Sequence, residues 1–206
     1  MESVDISHET LTALFEEAEP EVAITAGALC LYRITPLLPW GGRELPQWGI
    51  VEGEWSDLRV LPQRIDKIIR LLRQGLRMEP TETVDEPLGE LYEMASEVVL
   101  RYTDVDSLNR IEWADWCSTL TLDIHQQLDE LLESSDREIG AKFFPAGTDP
   151  ELTPLQALEL EDQICILRDL SASESQGIGN SIQRVINGRS RVVEALSRLS
   201  LEAESY

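Results

Sequence analysis

Apolar positions recur at Leu11, Leu14 and Phe15 behind Ser7, whose hydroxyl suits a helix N-cap, and the pattern stops near Pro20. A short amphipathic helix is predicted there. Residues 20–34 are apolar almost all round, with Val22, Ile24, Leu29, Leu31 and Ile34 among alanines. Such a run suits a buried helix opened by Pro20 or a buried strand, because a segment covered on every side shows no period. Helix is the expectation. Residues 35–60 then hold Pro36, Pro39, Pro46, the Gly41–Gly42 pair and three tryptophans, Trp40, Trp48 and Trp55. Prolines and glycines at that density break a helix, so a Pro/Trp-rich loop or small irregular hairpin is predicted.

From Leu61 the period becomes helical. Leu61, Ile65, Ile68, Ile69, Leu72 and Leu76 fall within about a 100° arc, with Lys67, Arg70, Arg73 and Arg77 opposite. Residues 85–103 repeat the pattern with Leu88, Leu91, Met94, Ala95, Val98 and Val99 on one face. Glu86, Glu90, Glu93 and Glu97 fill roughly a 60° arc on the other. A third long helix is predicted over 106–134, with Trp113, Trp116, Cys117, Leu120, Ile124, Leu128 and Leu131 on one arc. Gly140, Pro145, Gly147 and Pro150 mark a linker, after which Thr153 can cap a helix whose first turn takes Pro154. In the last 36 residues Ile178, Ile182, Val185, Val192, Leu196 and Leu199 follow alternating steps of three and four, a short coiled-coil-like seam. Gly177, Gly179 and Gly188 weaken it, so it is expected to dock on the bundle or on a partner. The fold class is mainly α: a helical bundle with an irregular segment near 35–60 and a coiled-coil-like C-terminal helix. The expected division is an acidic helical domain over 1–170 and an amphipathic helical extension over 171–206.

Composition sharpens this picture through charge. The 206 residues carry 39 acids against 17 bases, for a net −22, while 42% apolar residues suffice for an ordinary core. The charge is local: residues 1–60 sum to −8, 61–78 to +4, 79–170 to −18 and 171–206 to zero. Direct nucleic-acid binding by so acidic a surface is excluded, as is adsorption to anionic lipid, since each phosphate contact needs a base. The basic helix at 61–78 could grip an anionic partner, but the acidic block that follows would compete, and pairing within the chain is the expectation. The glutamate stripe opposes its own helix by roughly 1 kcal/mol, from three like-charge contacts at i,i+3 or i,i+4. It is therefore solvated, paired with another element's arginines, or holding a cation.

Cys30, Cys117 and Cys165 lie far apart among apolar neighbours and read as buried thiols of a reducing compartment. His8 and His125 have no Cys or second His nearby and read as surface or edge residues. With no basic and apolar leader and no apolar run near the roughly 18 residues of a membrane span, a cytoplasmic location is expected. There is no Gly-x-Ser-x-Gly elbow, and Gly177-Ile178-Gly179-Asn180 lacks the Lys that phosphate cradling needs.

The function these features favour is non-enzymatic: an adaptor, assembly factor or inhibitor that presents carboxylates to a basic protein partner, in its sharpest form by mimicking a nucleic-acid surface. Its candidate contact residues are Glu86, Glu90, Glu93 and Glu97, together with Trp40 and Trp48, unless those rings pin the loop onto the core. No cofactor is expected on this reading, and the basic helix and the C-terminal seam are the surfaces that could support a homo-oligomer.

A different chemistry follows from spacing. Glu90 and Glu93 are followed 18 residues on by Glu112 and Asp115. Gly89-Glu90-Leu91 and Glu112-Trp113-Ala114-Asp115 resemble the two metal-binding helices of the MazG-like nucleoside triphosphate pyrophosphohydrolases, over about residues 86–133. The resemblance implies a four-helix, often dimeric bundle in which those four carboxylates hold Mg²⁺ and a nucleotide is split to its monophosphate and pyrophosphate.

Overall fold

The computed structural model describes residues 5–39, 46, 48–49, 61–76, 86–102, 107–135, 152–172 and 175–203. They form a mainly α-helical bundle. The helices are α1 (His8–Glu17), α2 (Pro20–Ile34), α3 (Leu61–Leu76), α4 (Glu86–Leu100), α5 (Ser107–Ser135), α6 (Pro154–Ser171) and α7 (Ser175–Ala203), with one 3₁₀ turn at Thr35–Leu37 after α2. Most of 38–60, with Trp40 and Trp55, lies outside the described residues.

Local chemistry explains the helix starts. Ser7 Oγ accepts the Thr10 amide at 3.2 Å, capping α1. Pro20 and Pro154 occupy first turns, where a missing N–H costs nothing. Asp129, on α5, reaches across to α6, its Oδ2 accepting the Leu155 amide at 2.6 Å. A carboxylate is well placed there, because the open amides of a helix start carry partial positive charge.

Helix α2 is the axis of the bundle, buried from Val22 to Leu31 and again at Arg33 and Ile34, which accounts for its missing period. Gly27 lets it approach α5 closely: a Cβ at that position would lie 2.6 Å from Ala114 Cα. Helix α6 runs antiparallel to α5, as the pairs Gln163–Ser118, Gln156–Gln126 and Leu155–Asp129 step in opposite directions. Helix α7 joins the same core through Val185, Val192 and Ala195, with Ile178, Ile182, Leu196 and Leu199 packed at its edge.

Helix α3 is tied to the α4–α5 corner. Arg73 Nη1 donates to the Tyr102 carbonyl at 2.8 Å, and Asp66 accepts from the Tyr102 hydroxyl and pairs with Arg110 at 3.2 Å. Arg73 thus binds backbone at the end of α4 rather than the glutamate stripe. Tyr102 and Trp113 meet edge to face at 4.8 Å, and the Trp113 indole donates to Val98 O.

Candidate functional site

Two polar constellations stand out, one on the surface and one with a fully buried centre. On the surface, Glu90 and Glu93 of α4 are exposed, and Glu97 pairs with Arg101 at 2.6 Å. Glu86 opens α4, and its side chain lies outside the described set. Helix α5 extends the acidity much further. Between 112 and 133 six positions are exposed, and five are carboxylates: Glu112, Asp115, Asp123, Glu130 and Glu133, the sixth being Thr119. At 100° per residue those five share about an 80° arc and span about 32 Å of helix. The Arg101 guanidinium lies 4.3 Å from the centroid of the Trp116 ring, which joins the end of α4 to α5 next to Asp115. Among the described residues no cation pairs with Glu90, Glu93, Glu112, Asp115 or Asp123.

This arrangement does not fit a Mg²⁺ centre. Glu90, Glu93, Glu112 and Asp115 are all exposed, on the outer faces of their helices. Among the described residues no three metal-ligating side chains gather as a cation needs.

Of the tryptophans proposed for contact, Trp40 lies outside the described residues. Trp48 is buried and packs edge to face on Tyr32 at 5.2 Å.

The internal constellation joins α2, α5, α6 and α7. Arg33 and Glu159 are each 0% exposed and form a two-pronged pair. Nε donates to Oε2 at 2.8 Å and to Oε1 at 3.1 Å, while Nη2 donates to Oε1 at 2.5 Å. Gln163 Nε2 donates to Glu159 Oε1 at 2.9 Å, and Ser118 Oγ to Gln163 Oε1 at 2.5 Å. His125 is likewise buried, with Nδ1 2.7 Å from Thr121 O and Nε2 3.7 Å from Glu159 Oε2. Its burial corrects the expectation of a surface or edge histidine. His125 falls one position from Ile124 on the inner side of α5, whereas Asp123 faces solvent. On the next turn of α6, Asp162 holds two arginines of α7, Arg184 at 3.1 Å and Arg191 at shorter range.

Burial by itself would raise the Glu159 carboxyl; Arg33, His125 and Gln163 together outweigh it and hold the group below its ordinary value. Burial would lower Arg33, and Glu159, with Cys30 and Asp162, more than reverses that. Burial lowers His125 against the opposing pull of Glu159. Burial also pushes the Cys30 thiol up to about 12 despite Arg33, whose Nη2 lies 3.3 Å from Sγ, and it raises Cys117 well above its ordinary value. Both are inert thiols at neutral pH; Cys165 is half-buried. With Arg33, His125 and Glu159 sealed from solvent, this centre organises the bundle and touches no substrate in this conformation.

Sequence reasoning missed this centre. Its one available signal was Arg33, the only charge between Glu21 and Arg43 in an otherwise apolar stretch. A lone charge in a buried segment demands a partner. No protein-family model matches the chain, and neither a characterised protein nor a solved structure is similar to it.

Proposed function

We propose that the chain is an acidic protein-interaction module whose working surface is the joined α4–α5 face, presenting carboxylates to a basic partner. The observation that carries the reading is that five of the eight exposed described positions of α5 are acids and none is a base, alongside Glu90 and Glu93. A helix needing only solubility mixes both signs on its outer face, because like charges at i,i+3 and i,i+4 cost about 0.2–0.5 kcal/mol each. Here the pairs Glu90–Glu93 and Glu112–Asp115 carry that repulsion with no cation bound to them among the described residues, and a cationic partner would relieve it. Carboxylates repeating along about 32 Å of rigid helix also suit a groove built for a phosphate row, which makes a nucleic-acid-binding cleft the sharpest form of the partner. The shape of the face favours steering and rapid encounter over a deep apolar anchor.

The test uses an arginine-rich peptide as a defined probe. Its affinity for the full chain should fall at least tenfold between low and physiological salt, and again in Glu112→Gln/Asp115→Asn/Asp123→Asn. Equal replacement of Glu9, Glu16 and Glu17 on α1 should change it little. Affinity indifferent to salt, or equal losses in both variants, would sink the assignment to this face.

A further inference from the structure

The internal centre contains an unfilled position. His125 Nδ1 lies 2.7 Å from a carbonyl oxygen, which can only accept, so the neutral ring carries its proton on Nδ1. Its other nitrogen, Nε2, is fully buried without a hydrogen-bond partner and faces Glu159 Oε2 across 3.7 Å. Two acceptors therefore face one another. The gap exceeds one hydrogen bond and falls short of two laid end to end, so it suits a proton rather than a water molecule.

The charges around the ring decide what that proton would do. Helix α2 supplies Arg33 and the Cys30 thiol, α6 supplies Glu159 and Asp162, α7 supplies Arg191 with Arg184 behind it, and α5 itself adds Asp129. Before protonation Arg33 is matched by Glu159, and Asp162 is shared by the two α7 arginines. A proton adds a cation without adding a carboxylate. Arg33 is locked in its two-pronged pair and cannot withdraw. Arg191 sits on a helix of 29 residues that, among the described residues, brings only Val185, Val192 and Ala195 of its apolar side chains into the fully buried core. Helix α7 also packs directly on the Arg33 side chain, which a Cβ at Gly188 would strike.

We propose that the gap between His125 Nε2 and Glu159 Oε2 is a proton-binding site that governs the seating of α7, and that uptake of one proton below neutral pH loosens α7 from the α2–α5–α6 core. The sign follows from linkage. Burial depresses the folded-state value of His125 below its ordinary 6.5, so forms in which the ring is released bind the proton better. The seating energy is complete above 6.5 and is lost as pH falls toward the depressed value. Release uncovers the stripe of Ile178, Ile182, Val185, Val192 and Leu196.

Hydrogen exchange of the full chain read by mass spectrometry, with the imidazole signals followed by NMR, tests this between about pH 7.5 and about pH 5.5. The chain has two histidines, and the exposed His8 supplies the reference signal. Once the intrinsic pH dependence of exchange is divided out, α7 should lose on the order of tenfold in protection relative to α5 as His125 titrates. His125→Gln and His125→Phe should keep α7 protected at both pH values. Unchanged α7 protection in the wild type overturns the proposal whether or not His125 titrates, as does an equal loss in both variants. Should either variant fail to fold, the wild-type comparison decides alone.

Discussion

Arg33 and Glu159 show how one pair of residues can be both costly and indispensable. Each ion gives up its hydration, and their attraction repays that only because both guanidinium prongs, Gln163 and close geometry satisfy the carboxylate. Removing one partner is therefore worse than removing both. Arg33→Met should destabilise the protein by about 3–5 kcal/mol, whereas Arg33→Met combined with Glu159→Leu should recover most of that loss, read from urea midpoints at neutral pH. A double variant as unstable as the single one would mean that the pair contributes packing rather than charge balance. Sequence alone could mark Arg33 as unusual. It could not name Glu159, which lies 126 positions away and is one acid among 39.

At the scale of elements the caps and periods were readable, and the predicted helices occupy the expected places: α1 behind Ser7, α3 from Leu61, α4 and α5 separated by six residues, and α6 behind Thr153. What the helical period omits is how near two helices come. Gly27 shows the difference, because alanine is intrinsically the better helix former by about 1 kcal/mol, yet its methyl group would strike the Ala114 backbone. Overpacking of that kind costs about 1–3 kcal/mol, so Gly27→Ala should be net destabilising. Gly179 on α7 has nothing within 4 Å of the added carbon, and Gly179→Ala should stabilise by up to about 1 kcal/mol. Thermal unfolding of the two variants, one substitution with opposite expected signs, separates interhelical clearance from helix propensity. If Gly27→Ala matched or exceeded wild-type stability, the close approach of α2 to α5 would be wrong.

For the whole molecule the −22 acts as a self-repulsion concentrated where α4 and α5 face outward. Screening should relieve it. Raising NaCl from about 0.01 M to about 0.5 M shortens the Debye length from about 30 Å to a few ångströms, and the urea midpoint should rise accordingly. The same salt should weaken a basic partner's grip, so stability and binding are expected to move in opposite directions across one titration. A midpoint that fell with salt would show the acids to be balanced within the chain. No helix among the described residues is long and apolar enough to cross a membrane.

The order of charged and apolar residues determined by itself that this chain forms helices, where most begin, and that its acids crowd the α4–α5 region. These are short-range matters, set within a turn or two by caps, prolines and period. Only the tertiary structure decided which charges are buried. Arg33, His125, Glu159 and Asp162 come from three separate stretches of chain, Asp162 reaches across to a fourth, and apart from Arg33 each looks ordinary among its neighbours in sequence. Their shared environment exists only once α2, α5, α6 and α7 exclude water from it, because burial is a property of the assembled packing and not of any residue or helix alone.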